Sequence, residues 1–475
     1  MHHPSSPQPG VPEERIAPFV QKMNQAELPE SLIELFVHYV RQVLSTQERP
    51  GLIPEEDIEP IRAGEIPRQG DLSDALRRRG ESVLDQTVMI KLNGGLGTSM
   101  GMPYAKSLLP VKDGRTFLSI IRSQAAQQGF PLVLMDSFNT RSDVAAYWER
   151  QGVPAGERPL FFLQHKFPKI LAETLQPAHW PEDPDLEWNP PGHGDLYAAL
   201  ESSGTLDRLL DRGKRYALVS NADNLGAVVH PFILGYMAER ELPFLMEVAK
   251  RYPADKKGGH LAKDKEGGLV LREIAQCPEK DREAFQDISR YEYFNTNNVW
   301  IDLRQLKEHI QEHGLPKLPL IINPKTLDPR DESTPKVYQL ETAMGSGINV
   351  FPRGGAIQVF RDRFVPVKKT NDLLAVRSDC YILDERYKLA PHPKRKLPPV
   401  EVELDSRFYK LIDDFEERFP SGPPSLLDCE ALTVEGDVLV ADRVACRGRV
   451  RIVNASGQQA RIAPGSELEG KVVLT

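Results

Sequence analysis

The sequence predicts an α/β fold with a mostly parallel sheet, followed by a small parallel β-helix. Three observations predict it. Short apolar segments alternate with helical ones through the middle of the chain. One of those apolar segments runs directly into a glycine-rich loop, and the tail repeats an apolar residue every six positions.

From the N-terminus, residues 1–14 are polar and proline-rich and are expected to be disordered, with no basic segment and apolar core of the kind that directs export. From Glu27 to Gln47 apolar residues recur at helical spacing (Leu28, Leu32, Leu35, Phe36, Tyr39, Val43), predicting a helix packed on a larger domain. Residues 46–72 are rich in proline, glycine and charge and read as an irregular connection; Asp71 or Ser73 then caps a short helix to Gly80. Strands are predicted at Val88–Leu92, Leu132–Met135, Ala217–Ser220, Phe244–Val248 and Asn298–Ile301, and helices at Phe117–Gln128 and Asp195–Asp211. In such sheets ligands sit beyond the carboxyl ends of the strands, so the residues that follow each strand matter most.

The tail changes period. Val438, Val444 and Val450 step by six, as do Val434, Val440, Cys446 and Ile452, and Ile462, Leu468 and Leu474 resume the step after an interruption at Asn454–Gln459. A hexapeptide repeat is the mark of a parallel β-helix, with a coincidentally spaced antiparallel pair as the alternative. The expected division is a helical extension and linker over 1–85, an α/β domain over 86–385, and the β-helix over 386–475.

Composition narrows the function. At 475 residues the chain needs more than one core, and no apolar run approaches the length of a membrane span. A formal net charge of −8 argues against general nucleic-acid binding. The four cysteines (Cys277, Cys380, Cys429, Cys446) are far apart and form no Cys-x-x-Cys pair, which fits a reducing cytoplasm rather than a disulfide or metal scaffold.

Five segments carry candidate chemistry. In Val88–Gly101 a strand enters a glycine-rich loop whose backbone N–H groups can approach phosphate oxygens. The spacing fits neither a Walker loop, since Ala105 precedes Lys106-Ser107, nor the dinucleotide fingerprint, since Gly95, Gly97 and Gly101 give G-x-G-x-x-x-G. Lys106, just beyond, offers a point charge for the same phosphates. A second strand ends in Asn221-Ala-Asp223, whose carboxylate suits a nucleotide-bound Mg²⁺; an Asx turn is the bland alternative. Gly192-His193-Gly194-Asp195 makes a ligand-approachable turn, with Asp195 in place to cap the next helix. Phe294–Asn298 gathers amides suited to sugar hydroxyls, or forms an asparagine-rich turn. Val365–Asp372 presents the cations Lys368 and Lys369, either for a second phosphate or as a solvated pair.

Taken together, the runs KLNGGLGTSMG (91–101), PLVLMDSFNT (131–140), GHGDLYA (192–198), SNADNLGA (220–227), REIAQCP (272–278), FNTNNVWIDL (294–303), NPKTLD (323–328), QLETAMG (339–345) and RFVPVKKTNDLL (363–374) resemble the eukaryotic-type UTP–glucose-1-phosphate uridylyltransferases, in order and spacing from about residue 30 to the end. The resemblance implies a Rossmann-like nucleotidyltransferase domain and a left-handed β-helix. It also implies reversible, Mg²⁺-dependent synthesis of UDP-glucose and pyrophosphate from UTP and glucose 1-phosphate. On the family's pattern Leu92, Asn93, Gly94 and Gly95 contact UTP and Lys106 its phosphates. Gln164 reads uracil, Gly192 sits with the base, and His193 sits with the sugar phosphate. Asn221, Ala222 and Asp223 match nucleotide, substrate and metal positions, and Lys368 matches the catalytic lysine. Glu273, Asn297 and Asn298 face the glucose hydroxyls. Galactose 1-phosphate, an N-acetylhexosamine phosphate, or a silent binding protein remain alternatives, and a homo-oligomer through the C-terminal domain is left open. Four departures stand out: Ala105 where the family commonly has proline, Asp136 for asparagine, Lys369 for threonine, and His165-Lys166 after the glutamine.

Overall fold

A computed structural model describes residues 11–45 and 50–474. The chain is mixed α/β, and among the described residues its largest sheet has ten strands of mixed direction. Two compact units emerge, each discontinuous in sequence. The first comprises residues 1–90, 161–219 and 229–360, and the second 91–160, 220–228 and 361–475.

In the first unit, helices Glu13–Gln25 and Glu30–Ser45 place Phe19, Phe36, Tyr39 and Val40 in one apolar cluster with Phe167, Ile170, Leu320 and Leu340. The second of these is the helix expected from periodicity; residues 46 and 47 of that expectation lie outside the described residues, as do 1–10 of the segment expected to be disordered. The first helix was not foreseen. It starts at Glu13, behind Pro12, where a missing N–H costs nothing. The strand Tyr293–Asp302 pairs antiparallel with Tyr216–Val219 and with Phe244–Lys250, and the latter runs parallel to Gly355–Gln358. A hairpin of His260–Asp264 and Leu269–Arg272 extends the sheet. A three-stranded sheet of Leu320–Thr326, Lys336–Thr342 and Ile170–Leu171 lies in the same unit.

The predicted strands all form, each longer than the apolar run that announced it: Thr87–Asn93, Leu132–Asp136, Tyr216–Asn221, Phe244–Lys250 and Tyr293–Asp302. Flanking polar residues extend them because the ladder continues past the last apolar side chain. The helix Phe117–Gln128 falls where predicted, its N-terminal N–H on Ser119 taken by the Thr116 hydroxyl. The helix expected over Asp195–Asp211 is two, Leu196–Ser202 and Thr205–Asp211.

The second unit contains Leu132–Asp136, buried throughout, helices Phe117–Gln128 and Arg141–Arg150, and the C-terminal strands. Those strands are parallel: Glu401–Leu404, Cys429–Glu435, Ala445–Asn454 and Glu467–Leu474 in one sheet, Val438–Val440 and Ala460–Ile462 in another. Val434 pairs with Ile452, eighteen residues on, which is three of the six-residue steps. Val434, Val438, Val440, Val444, Cys446, Val450, Ile452, Ile462 and Leu468 are all buried, so the period marks the inward-facing positions.

Candidate functional site

In the second unit residues 91–93, the end of the strand Thr87–Asn93, lead into the glycine-rich loop, and the Leu92 carbonyl accepts the N–H of Ala222 at 3.0 Å. The loop and the end of the strand Tyr216–Asn221 are thus held side by side. Lys106 returns to the loop through its own N–H, bonded to the Gly95 carbonyl at 3.2 Å. Its ammonium lies 2.6 Å from Asp223 Oδ2, both side chains being largely buried. Asp223 Oδ1 is also buried and has no hydrogen-bond partner among the described residues. An orphaned carboxylate oxygen beside the glycine-rich loop suits a cation that completes its shell with ligand oxygens and water, as Mg²⁺ does. No group of three or more acidic, His or Cys side chains that could hold a metal by themselves occurs among the described residues. A β-carbon on Gly95 would meet nothing within 4 Å, so the loop faces open space there.

The same unit brings Lys368 to this cluster. The N–H of Val367 bonds the Asp223 carbonyl at 3.3 Å, and the Asn224 side chain accepts from Val365 N–H and donates to the Arg363 carbonyl. Ser99 of the loop donates to the Lys368 carbonyl at 3.3 Å. Asp372, in the first turn of helix Thr370–Arg377, accepts the N–H groups of Lys368 and Lys369 at 2.7 and 2.9 Å. Burial pushes the Asp372 carboxyl up, against those two hydrogen bonds and the charges of Lys106 and Lys368. Lys91 is fully buried behind the loop, its ammonium on Ser220 Oγ at 2.7 Å and the Ala227 carbonyl at 3.0 Å.

In the first unit, Gln164 Nε2 donates to the Gly192 carbonyl at 2.8 Å. Gly192 has φ +76°, and a β-carbon there would lie 2.5 Å from the Thr342 carbonyl oxygen; only glycine fits. His193 Nδ1 accepts the Met344 N–H at 2.9 Å, which leaves the proton of the neutral ring on Nε2. Gly345, the next residue, packs beside the Asn295 amide nitrogen. The Asn295 N–H bonds the Gly259 carbonyl, and the Glu273 carboxylate lies over the Gly259 α-carbon, where a β-carbon would sit 2.5 Å from it. Gln164, Gly192, His193, Asn295 and Glu273 therefore form one connected group, joined by the run that ends in Met344-Gly345.

Two expectations need correction. The asparagines form no turn before a strand; they lie within Tyr293–Asp302, at a bulge opposite Glu247 and Val248. Bulges re-aim side chains. Asn297, held at φ +56°, shares reciprocal bonds with Asn295, whereas Asn298 is fully buried and donates to Glu247 Oε2 at 3.1 Å. Glu247 also accepts the Trp300 indole N–H at 2.9 Å. Nor does Asp195 cap its helix. Its carboxylate takes the backbone N–H and Nδ1 of His165, whose Nε2 meets Ser202 Oγ at 2.9 Å. Burial raises the Asp195 carboxyl, opposed by His165.

Glu247, Asp372, Lys91 and Gly259 escaped sequence reasoning. Only Asp372 carried a usable signal, a carboxylate at the third position of a helix that follows two lysines.

A model of the UTP–glucose-1-phosphate uridylyltransferase family matches residues 33–447. A Dictyostelium discoideum protein named UTP–glucose-1-phosphate uridylyltransferase 2 is 35% identical over 456 residues, 94% of this chain and 87% of its own length. A Hordeum vulgare UTP–glucose-1-phosphate uridylyltransferase is 39% identical over 398 residues, 82% of each. The crystal structure of a UDP-glucose pyrophosphorylase L281D mutant from Leishmania major, in complex with UDP-glucose, superposes with a TM-score of 0.90 at 40% identity, covering 98% of this chain and 100% of that one. Matched nearly end to end in sequence and in fold, the chain belongs to the UTP–glucose-1-phosphate uridylyltransferase family.

Proposed function

We propose that this chain transfers the UMP group of UTP to glucose 1-phosphate, giving UDP-glucose and pyrophosphate. The observation that carries it is the glycine-rich loop with Lys106 paired to a half-orphaned Asp223, in a chain that belongs to this family over nearly its whole length.

An oxygen of the sugar phosphate attacks the α-phosphorus of UTP. The bond from that phosphorus to the bridging oxygen breaks, and pyrophosphate leaves with the electron pair. The attacking phosphate is already ionised, so no proton need move. Both reactants are anions, so catalysis rests on positioning and on fixed positive charge. Lys106 and Lys368 supply that charge, and Leu92–Gly95 offers backbone to the UTP phosphates. Asn221 and Ala222 lie beside the nucleotide, Ala222 being held to the Leu92 carbonyl through its N–H. Asp223 would hold Mg²⁺ through Oδ1, where the ion would neutralise phosphate charge.

Gln164 reads uracil with its amide oxygen while its nitrogen stays on Gly192. His193 offers the Nε2 proton to a sugar-phosphate oxygen. Glu273 and Asn297 face the hexose hydroxyls, and Asn298, buried on Glu247, supports that strand.

The eighteen-residue pairing and the buried six-residue positions support reading the C-terminal strands as a left-handed β-helix. Exposed Val473 on Glu467–Leu474, an edge strand among the described residues, supports self-association through this region. Four buried free cysteines favour the cytoplasm.

The test is pyrophosphate release across UTP, ATP, GTP and dTTP against a panel of sugar 1-phosphates. UTP with glucose 1-phosphate should give the highest kcat/KM. A clear preference for a different sugar phosphate overturns the substrate assignment, and no release with any pair overturns the enzymatic one.

A further inference from the structure

The run 131–140 is among those that carry the family resemblance, yet none of the proposed substrate or metal positions falls in it. It comprises the strand Leu132–Asp136 and the turn into helix Arg141–Arg150, and Asp136, Ser137 and Thr140 bond the start of the glycine-rich loop. Asp136 is fully buried; its Oδ1 accepts the Asn93 amide N–H at 2.7 Å and its Oδ2 accepts from Arg141 at 3.1 Å. Thr140, also fully buried, donates its hydroxyl to the Asn93 carbonyl at 2.9 Å and accepts the Ser137 N–H at 3.0 Å. Ser137 donates to the Gly94 carbonyl at 2.8 Å. One helical turn on, Asp143 accepts the Ala105 N–H at 2.8 Å, directly before Lys106.

We propose that Asp136–Asp143 is the positioning element of the nucleotide loop: Asp136 and Thr140 set Asn93, and Asp143 sets Ala105 and through it Lys106. The physical case has three parts. The loop's carbonyls at Asn93 and Gly94 are claimed from this side, so they cannot turn toward phosphate oxygens, which would repel them. The Asn93 amide is fixed with its nitrogen on Asp136, so its oxygen points elsewhere. Ala105 sits at φ −55°, a value proline would also hold; here a hydrogen bond to Asp143 supplies the restraint a ring would give. Burial raises the Asp136 carboxyl, but the bonds from Asn93 and Arg141 oppose the shift.

This rests on the proposed UTP site. The test measures the UTP dissociation constant by calorimetry without sugar, and the KM values for both substrates, in wild type, Thr140→Val, Thr140→Ser and Ser137→Ala. Valine keeps the shape of threonine and removes the hydroxyl, leaving the Asn93 carbonyl and Ser137 N–H without it. Expected are a loss of UTP affinity of about tenfold, the scale of one to two buried hydrogen bonds, with the KM for glucose 1-phosphate within about twofold. Serine should restore UTP affinity to within about threefold of wild type, and Ser137→Ala should weaken UTP about threefold. Wild-type UTP affinity in Thr140→Val, or serine as impaired as valine, overturns the proposal. If Thr140→Val fails to fold, unchanged affinity in Ser137→Ala overturns it alone. A wild-type chain that does not bind UTP would instead contradict the functional reading, and the variant ratios are then taken with the triphosphate it does bind.

Discussion

Lys368 reaches its place through backbone rather than side-chain contacts: its carbonyl is on Ser99, its N–H is on Asp372, and its neighbour Val367 is on the Asp223 carbonyl. Three anchors on one short stretch fix the Lys368 backbone and so limit where its ammonium can reach, which favours preorganised charge stabilisation. Replacing Lys368 by alanine leaves those anchors intact. Turnover should therefore fall by roughly 10²–10³-fold with unchanged thermal stability. Near wild-type kcat in the folded variant would remove Lys368 from the chemistry. Lys106 and Asp223 were legible in the sequence as a charge and a carboxylate after two strands, but their 2.6 Å pairing was not, because 117 residues separate them. The same limit hid Glu247, an acidic residue inside an apolar strand whose partners Asn298 and Trp300 lie on another.

At the scale of elements, apolar runs located the sheet strands well because burial on both faces demands them. Bulges and caps were harder. Nothing in Phe294–Asn298 announces that the extra residues sit inside a ladder rather than before it, since asparagine tolerates left-handed φ in both settings. At the Gly192 turn the glycines were read as room for a ligand, whereas the structure packs them on protein, Gly192 against the Thr342 carbonyl and Gly194 against the Thr342 hydroxyl. Gly192→Ala should place a β-carbon against the Thr342 carbonyl in a backbone region reserved for glycine. The expected cost is about 1–3 kcal/mol, read as a lowered urea midpoint at unchanged slope. An unchanged midpoint would show that the turn relaxes freely.

For the molecule as a whole, the hexapeptide period and the central alternation were both visible in sequence, whereas the division into two discontinuous units was not. Chain order carries no signal of which distant segments share a compact body. Stability should also depend on pH through a buried histidine in the first unit. His260 is fully buried, stacked on Tyr291 at 3.8 Å and beside Phe285 at 4.8 Å, with neither ring nitrogen in normal hydrogen-bond geometry. Burial, then Arg272 and Arg251, hold its pKa well below 6.5. The folded state keeps the ring neutral, while the unfolded chain takes up a proton below its own pKa. The contribution is thus complete above about pH 6.5 and lost as pH falls toward the folded value, at up to about 1.4 kcal/mol per pH unit. His260→Phe, which keeps the stacking, should flatten the fall in stability between pH 7 and pH 5. An identical slope in wild type and variant would mean that other groups set the acid limb.

The central claim, uridylyl transfer to glucose 1-phosphate, is tested most directly by incubating the purified chain with UTP, glucose 1-phosphate and Mg²⁺ and quantifying both products. The predicted result is UDP-glucose and pyrophosphate in equal amounts, with formation abolished or strongly reduced in Lys368→Ala. Absence of both products from the folded wild-type chain would contradict it.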